Sequence, residues 1–314
     1  MNLKLKQVQK REIIAVCRGG FSNRIKCLLS SMKVSEDTGR ILKVYWPKNP
    51  YCNESFEEIF DNDFIQISRD ELESKLKRRL SVLNKFKTNK KFLIIEEASL
   101  MPFSDKNISL KYDKIPQDVI KDILFYLVKI KIKKELLDKS KSFSRGFDKN
   151  VVAIFIRRGD FLELKSGIGK VSCIKDFKMK VKKEIEKNSS MKFYLATEDN
   201  FLKEDFKILF GKRIITYHKK AFLREDPGAV KEAFIELLSL ANCKSIIGNY
   251  GSTFTEMIWF FGGCRQKVDI VVNNQRLEEY FQNEKNNLMI RIKRIIYNIL
   301  SLWRFRFVED PKIK

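Results

Sequence analysis

From residue 151 onward the chain alternates short apolar runs with helix-length amphipathic stretches, and that alternation leaves little choice of architecture. Val151–Ile156 is β-branched and wholly apolar, the mark of a strand buried on both faces. Further strands are expected at 192–197, 213–216, 245–247 and 268–272, with helices at 175–187, 201–210, 229–241 and 254–261. Strands separated by helices of this length build a parallel sheet covered on both faces, an α/β class.

The first half is less regular. A strand is expected at 13–17, then a glycine turn, a helix from Ile25 to about Val34, and a strand at 41–46 closed by Pro47. Residues 54–60 read as helical, 64–67 and 92–95 as short strands, and 117–137 as one long helix entered through Pro116. The polar segment SKSFSRGFDKN at 140–150 reads as a linker. The expected division is therefore 1–145 for a first domain, 146–283 for a second, and 284–314 for a basic helix and tail. A length of 314 residues is comfortable for two cores.

Composition narrows the function classes. No apolar run approaches the ~20 residues that span a bilayer, and the N-terminus has no signal-peptide core, so a cytoplasmic location is expected. Six cysteines without a CxxC pair read as free thiols, and the single histidine, His218, reads as an ordinary surface or half-buried residue beside Lys219 and Lys220. The net charge of +23 favours anionic partners. It comes mostly from lysines spread over helices, with no zinc finger or RNP motif, so nucleic acid is not expected as a partner. Residues 288–303 place Leu288, Ile292, Ile295, Ile296, Ile299, Leu302 and Trp303 on one stripe, flanked by Arg291, Arg294, Arg304 and Arg306. That stripe suits either packing on the body or peripheral docking of 286–307 on an anionic membrane surface.

Three segments carry chemistry. Arg157 and Arg158 follow the strand 151–156 at its carboxyl edge, where ligands bind in open α/β sheets. A planar, permanently charged fork suits a phosphate or diphosphate there. Asp160 follows, fit to fix the arginines, to meet a sugar, or simply to cap a turn. Gly19-Gly20-Phe21-Ser22-Asn23-Arg24 lies between a strand and a helix, a turn that lets backbone N–H groups approach a phosphate. Gly248-Asn249-Tyr250-Gly251-Ser252-Thr253-Phe254 repeats that arrangement with two hydroxyls. Asp61-Asn62-Asp63 has the form of a metal-binding D-x-D pair, but it follows a helical stretch rather than a strand and reads as a turn.

Together these segments resemble the fucosyltransferase superfamily that includes α1,2-, α1,6- and protein O-fucosyltransferases. GGFSNR resembles the family's N-terminal glycine-rich motif, FIRRGD its H-x-R-R-x-D, and FYLATED with IIGNYGSTFTE its A-T-D and S-[ST]-F segments, in order over residues 12–272. The resemblance implies a GT-B architecture, two Rossmann-like domains with a donor cleft between them. It implies GDP-fucose as donor, a glycan acceptor, inversion at the sugar, and no metal or other cofactor. By the family pattern Arg157 holds the β-phosphate with Arg158 beside it. Ser252, Thr253 and Phe254 contact the diphosphate, and Gly19, Gly20, Asn23 and Arg24 lie near the donor. Glu236, sixteen positions before Ser252, stands where the family pairs an aspartate with guanine. Phe155 stands where the family has a histidine that touches the nucleotide. Asp160 and Glu163 are the carboxylates nearest in sequence for a general base. The competing readings are a glycosyltransferase with another nucleotide sugar, and a basic non-catalytic protein bound to a membrane or to RNA.

Overall fold

The computed structural model describes residues 11–75, the strand 92–96, Tyr112, and residues 115–147, 150–164, 167–219 and 226–286. In the first half, β1 (Glu12–Val16), β2 (Ile41–Tyr45), β3 (Ile65–Gln66) and β4 (Phe92–Glu96) form a parallel sheet in the order β3-β2-β1-β4. In the second, β5 (Val151–Phe155), β6 (Lys192–Ala196), β7 (Ile214–Ile215), β8 (Ser245–Asn249) and β9 (Lys267–Val271) form another, in the order β7-β6-β5-β8-β9. The described helices are α1 (Phe21–Thr38), α2 (Gln117–Leu127), α3 (Lys134–Ser144), α4 (Ile174–Lys187), α5 (Asn200–Phe210), α6 (Ala229–Leu240), α7 (Thr253–Phe261) and α8 (Asn274–Asn286).

Both sheets reverse their strand order at the first strand. The chain winds from β5 to β6 and β7 on one side, then returns to β8 and β9 on the other. In the first sheet β2 and β3 flank β1 on one side and β4 on the other. In such sheets the crevice for a ligand opens at the carboxyl end of the strands where the order reverses. Those ends are Arg18-Gly19-Gly20 after β1 and Arg157-Arg158 after β5.

The two sheets share one continuous apolar core. It takes in Ile13, Phe21 and Trp46 from the first half and Phe155, Phe234 and Trp259 from the second. The Phe21 and Phe234 rings lie 4.7 Å apart, and the Tyr112 and Trp259 rings 5.1 Å apart. A second cluster around Val152, Ile154, Phe193 and Phe206 fills the other face of the β5 sheet.

The expected long helix over 117–137 is two helices, α2 and α3, with a break at 128–133. The break is bonded rather than slack. The Asn62 side-chain amide donates to the Lys129 carbonyl at 2.8 Å, and its oxygen accepts the Lys131 N–H at 2.7 Å. Ile132 forms an antiparallel bridge with Phe60, and the Lys133 N–H donates to the Ile59 carbonyl at 2.9 Å. The expected linker also differs, since α3 runs through its first residues to Ser144. Ser140 and Ser144 are buried against α6 and its end, where Ser140 Oγ meets Ser239 Oγ at 3.1 Å and Asn242 Nδ2 donates to Ser144 Oγ at 3.0 Å. Of the expected helix at 54–60, a single 3₁₀ turn at Phe56–Glu58 forms. All six cysteines are free. Among the described residues, no helix is long and apolar enough to cross a membrane. The basic stripe beyond Asn286, including most of 286–307, lies outside the described residues.

Candidate active site

The site is organised around the exit of β5. The Arg157 N–H donates to Asn249 Oδ1 at 2.7 Å, and the Arg158 N–H donates to Glu198 Oε1 at 2.6 Å. Asn249 ends β8 and Glu198 follows β6, so each neighbouring strand anchors one arginine backbone. The Arg158 guanidinium lies 3.7 Å from Asp199, whose carboxylate also caps α5 by accepting the Leu202 N–H at 3.0 Å. The Arg157 guanidinium lies over the Phe161 ring at 4.7 Å. Gly159 has φ +49°, a left-handed turn that redirects the chain directly after the arginines.

The end of β8 supplies the second wall. Gly251 has φ +67°, and a Cβ there would come within 2.4 Å of Ile168. Ser252 then caps α7, its hydroxyl accepting the Thr255 N–H at 3.4 Å. Ser252 is buried in this capping role, in which its oxygen accepts and its O–H is left to donate. The loop also presents the half-buried Thr253 and the N–H groups of Thr253 and Phe254, the first of α7.

The end of β1 supplies the third. Gly20 is the N-cap of α1, and Asn23 packs half-buried beside Gly19. Arg24, expected near the donor, is fully buried. Its Nε donates to the Gly19 carbonyl at 2.6 Å, and its other nitrogens donate to the Pro47 carbonyl at 2.8 Å and Asn49 Oδ1 at 3.0 Å. The guanidinium also stacks over Trp46 at 5.1 Å, and burial pushes its pKa below the ordinary value. Arg24 therefore locks the glycine loop from behind and reaches a ligand only through that loop.

One further expected contact is a packing residue. Phe155 is buried and stacks on Phe254 with ring centres 4.4 Å apart and planes at 23°, which fixes α7 to β5. Only Phe254, half-buried, keeps an open face. Glu163 is exposed and lines a hollow of about 380 Å³ with Leu162, Lys170, Arg276 and Tyr280; neither Arg157 nor Ser252 lines it. Asp160 sits in the turn after the arginines, and its side chain lies outside the described residues.

Glu236, on α6, is 1% exposed. Burial pushes its carboxyl up from the ordinary range, against the pull of the ion-paired Lys219 and of Lys203. The D-x-D segment is spoken for structurally. Asp61 pairs with Lys133 at 2.6 Å, and Asn62 stitches the break between α2 and α3. Among the described residues, no three His, Cys, Asp or Glu side chains gather as metal ligands would.

The sequence motifs hold Asn249, Glu198 and Asp199 without giving them a role, and they do not include Lys26 or Lys219. The signal shared by the first three is place, since they stand within three residues of a strand's carboxyl end. Lys26 and Glu256 join α1 to α7 through a buried 2.6 Å ion pair, which sets the N-terminal turns of the two helices side by side.

No protein-family model and no curated protein sequence matches the chain. Solved structures do. NodZ α1,6-fucosyltransferase soaked with GDP-fucose superposes with a TM-score of 0.55 at 15% identity, over 80% of this chain and 92% of that one. POFUT1 in complex with GDP gives 0.52 at 11%, over 84% and 98%. A mutant of Arabidopsis thaliana FUT1 in complex with GDP gives 0.54 at 10%, over 83% and 70%. The resemblance read from three short motifs thus extends to the whole architecture: the chain has the GT-B fold, Rossmann-like sheets facing one another, that the fucosyltransferases share.

Proposed function

We propose that this protein is an inverting glycosyltransferase that transfers fucose from GDP-fucose to a glycan acceptor. The observation that carries the reading is the meeting of Arg157 and the α7 N-terminus at one sheet edge, tied by the Arg157 N–H bond to Asn249. Two cations and a helix N-terminus at a strand-order reversal form a diphosphate site. That site falls on a fold shared with proteins solved in complex with GDP and GDP-fucose.

The chemistry follows from the charges. As the bond between the anomeric carbon and the phosphate oxygen breaks, negative charge grows on the leaving GDP. Arg157, with Arg158 and the α7 N–H groups, stabilises that charge without reorganising. The acceptor hydroxyl attacks the anomeric carbon from the opposite face, which inverts it, and gives up its proton. Glu236 takes the base of the donor, and the glycine loop of α1 closes the phosphate side. Asp160 remains the candidate in sequence for the proton acceptor.

Incubation of the full chain with GDP-fucose and a panel of glycans tests this directly. Release of GDP, with a fucosylated product of anomeric configuration opposite to that of the donor, is expected. A folded protein that neither binds nor hydrolyses any GDP-sugar ends the reading. The peripheral, cytoplasmic-leaflet part of the reading rests on the sequence of 286–307 alone. Truncation near residue 284 is expected to keep donor hydrolysis and lose sedimentation with anionic vesicles.

A further inference from the structure

The hollow of about 380 Å³ is walled by α8 on one side and by residues 162–164 and 167–170 on the other. Arg276, Glu279, Tyr280 and Asn283 stand at i, i+3, i+4 and i+7 on α8, so they share one face of that helix, and all four line the hollow. Glu163 and Lys170 line the facing wall, and the buried Tyr280, its ring centre 6.3 Å from that of Tyr250, forms the base. The walls are fixed to one another. The Asn273 N–H donates to the Val171 carbonyl at 2.9 Å, and the Ser172 hydroxyl donates to the Val271 carbonyl at 2.6 Å and accepts the Tyr250 N–H at 2.9 Å. The turn at 167–170 is also locked to the donor loops. Gly169 sits so close to the Phe161 carbonyl that a Cβ would not fit, and Ile168 lies against Gly251. Phe161 is the ring beneath the Arg157 guanidinium. A single rigid turn thus stands between the hollow and the arginine.

The chemistry of the hollow differs from that of the chain at large. The protein carries a net charge of +23, yet here two cations, Lys170 and Arg276, stand against two carboxylates, Glu163 and Glu279. Among the described residues these four make no ion pair with one another. A balanced set of charges exerts no net pull on a phosphate or an acidic group. It suits hydroxyls, since one hydroxyl can donate to a carboxylate and accept from an ammonium, a guanidinium or the Asn283 amide. Sugars carry such hydroxyls around an apolar ring face, which a tyrosine ring can cover. We propose that the hollow binds a neutral sugar residue of the glycan acceptor, remote from the hydroxyl that takes the fucose. The seat is remote because neither Arg157 nor Ser252 lines it. The assignment rests on the glycosyltransferase reading above and adds acceptor recognition by the second half of the chain. Because the turn at 167–170 is held on both sides, a sugar seated in the hollow keeps the rest of its chain at a set reach from the breaking bond.

Glycan-array binding of the full chain, followed by calorimetry with the oligosaccharides retained, tests the assignment in wild type, in Arg276→Ala/Asn283→Ala and in Glu279→Gln. The array carries neutral oligosaccharides of increasing length and their sialylated or uronate-bearing counterparts. Wild type is expected to retain neutral oligosaccharides and to bind the acidic counterparts no more tightly. Each variant is expected to weaken that binding about tenfold, the scale of one hydrogen bond to a charged group, with GDP affinity unchanged. In transfer assays the acceptor KM should rise by the same factor, while kcat and the KM for GDP-fucose hold. GDP binding by a wild type that retains no neutral oligosaccharide, or only acidic ones, overturns the proposal and leaves the donor reading standing. Unaltered glycan affinity in both variants, or a fall in kcat at constant acceptor KM, overturns it likewise. A wild type that neither binds GDP nor releases it from GDP-fucose defeats the donor reading, and the acceptor role with it. Should Arg276→Ala/Asn283→Ala fail to fold, the isosteric Glu279→Gln decides alone.

Discussion

Lys26 on α1 and Glu256 on α7, 230 residues apart in the chain, meet at 2.6 Å with side chains only 3% and 7% exposed. Each lies within two turns of the helix start that faces the site. Their pairing therefore fixes how the two N-termini stand to each other.

A buried pair of this kind is costly to break and cheap to replace as a unit. Lys26→Met alone is expected to lower unfolding free energy by about 3–5 kcal/mol. The double variant Lys26→Met/Glu256→Leu should regain most of that loss in urea denaturation. A single variant as stable as wild type would show that the pair is not desolvated as the structure has it.

Arg157→Lys keeps a positive charge but loses the planar fork. Transfer from GDP-fucose should fall about a hundredfold or more, the scale of removing one preorganised donor to a developing anion. Circular dichroism and thermal unfolding should be unchanged, because the Arg157 contact to Asn249 is made by the backbone. Near-normal turnover in the lysine variant would remove Arg157 from the mechanism.

The D-x-D segment acts on the fold. Asn62→Ala should cost roughly 0.5–1.5 kcal/mol, since it strips partners from the backbone of residues 129 and 131 at a part-exposed position. Activity should survive EDTA, and the double variant Asp61→Ala/Asp63→Ala should keep its turnover. Loss of activity in EDTA with rescue by manganese would contradict this.

Glu58 gives a pH signature. Lys48 at 2.8 Å, and then the Ser55 N–H at 2.6 Å, hold its carboxyl down at about 2 against an ordinary 4.5. A carboxyl depressed by folding adds stability above its unfolded pKa, and that stability is lost as pH falls from 4.5 through about 2. The side chain is 38% exposed, so solvent screening keeps the contribution below about 1 kcal/mol. Glu58→Gln should flatten the acid limb of the stability profile across that window, and an unchanged slope would mean the pair is fully solvated.

How far the sequence carried the structure depended on the range of the forces involved. β5 was legible because an unbroken apolar run leaves a buried strand as its best conformation, and the Arg157-Arg158 exit came with it. The break between α2 and α3 was not. Residues 128–133 keep helix-compatible spacing, and what ends the helix is a hydrogen-bonding side chain at Asn62, far back in the chain. Arg24 reads as a ligand cation beside a glycine turn, but its acceptors come from Pro47 and Asn49 on the loop after β2. Likewise Phe155 reads as a replaced polar contact until Phe254 is seen stacked upon it. Periodicity reports which face of an element is buried; it carries no record of what the element is buried against.

The rings of Phe21 and Phe234, and those of Tyr112 and Trp259, close the space between the two sheets. Among the described residues the two halves meet through aromatic side chains, unlike proteins whose domains meet through a small polar interface. Prising the sheets open would wet those rings at about 25 cal/mol for every Å² exposed. Any movement that parts the two sheets is thus opposed by the same apolar contacts that fill the core.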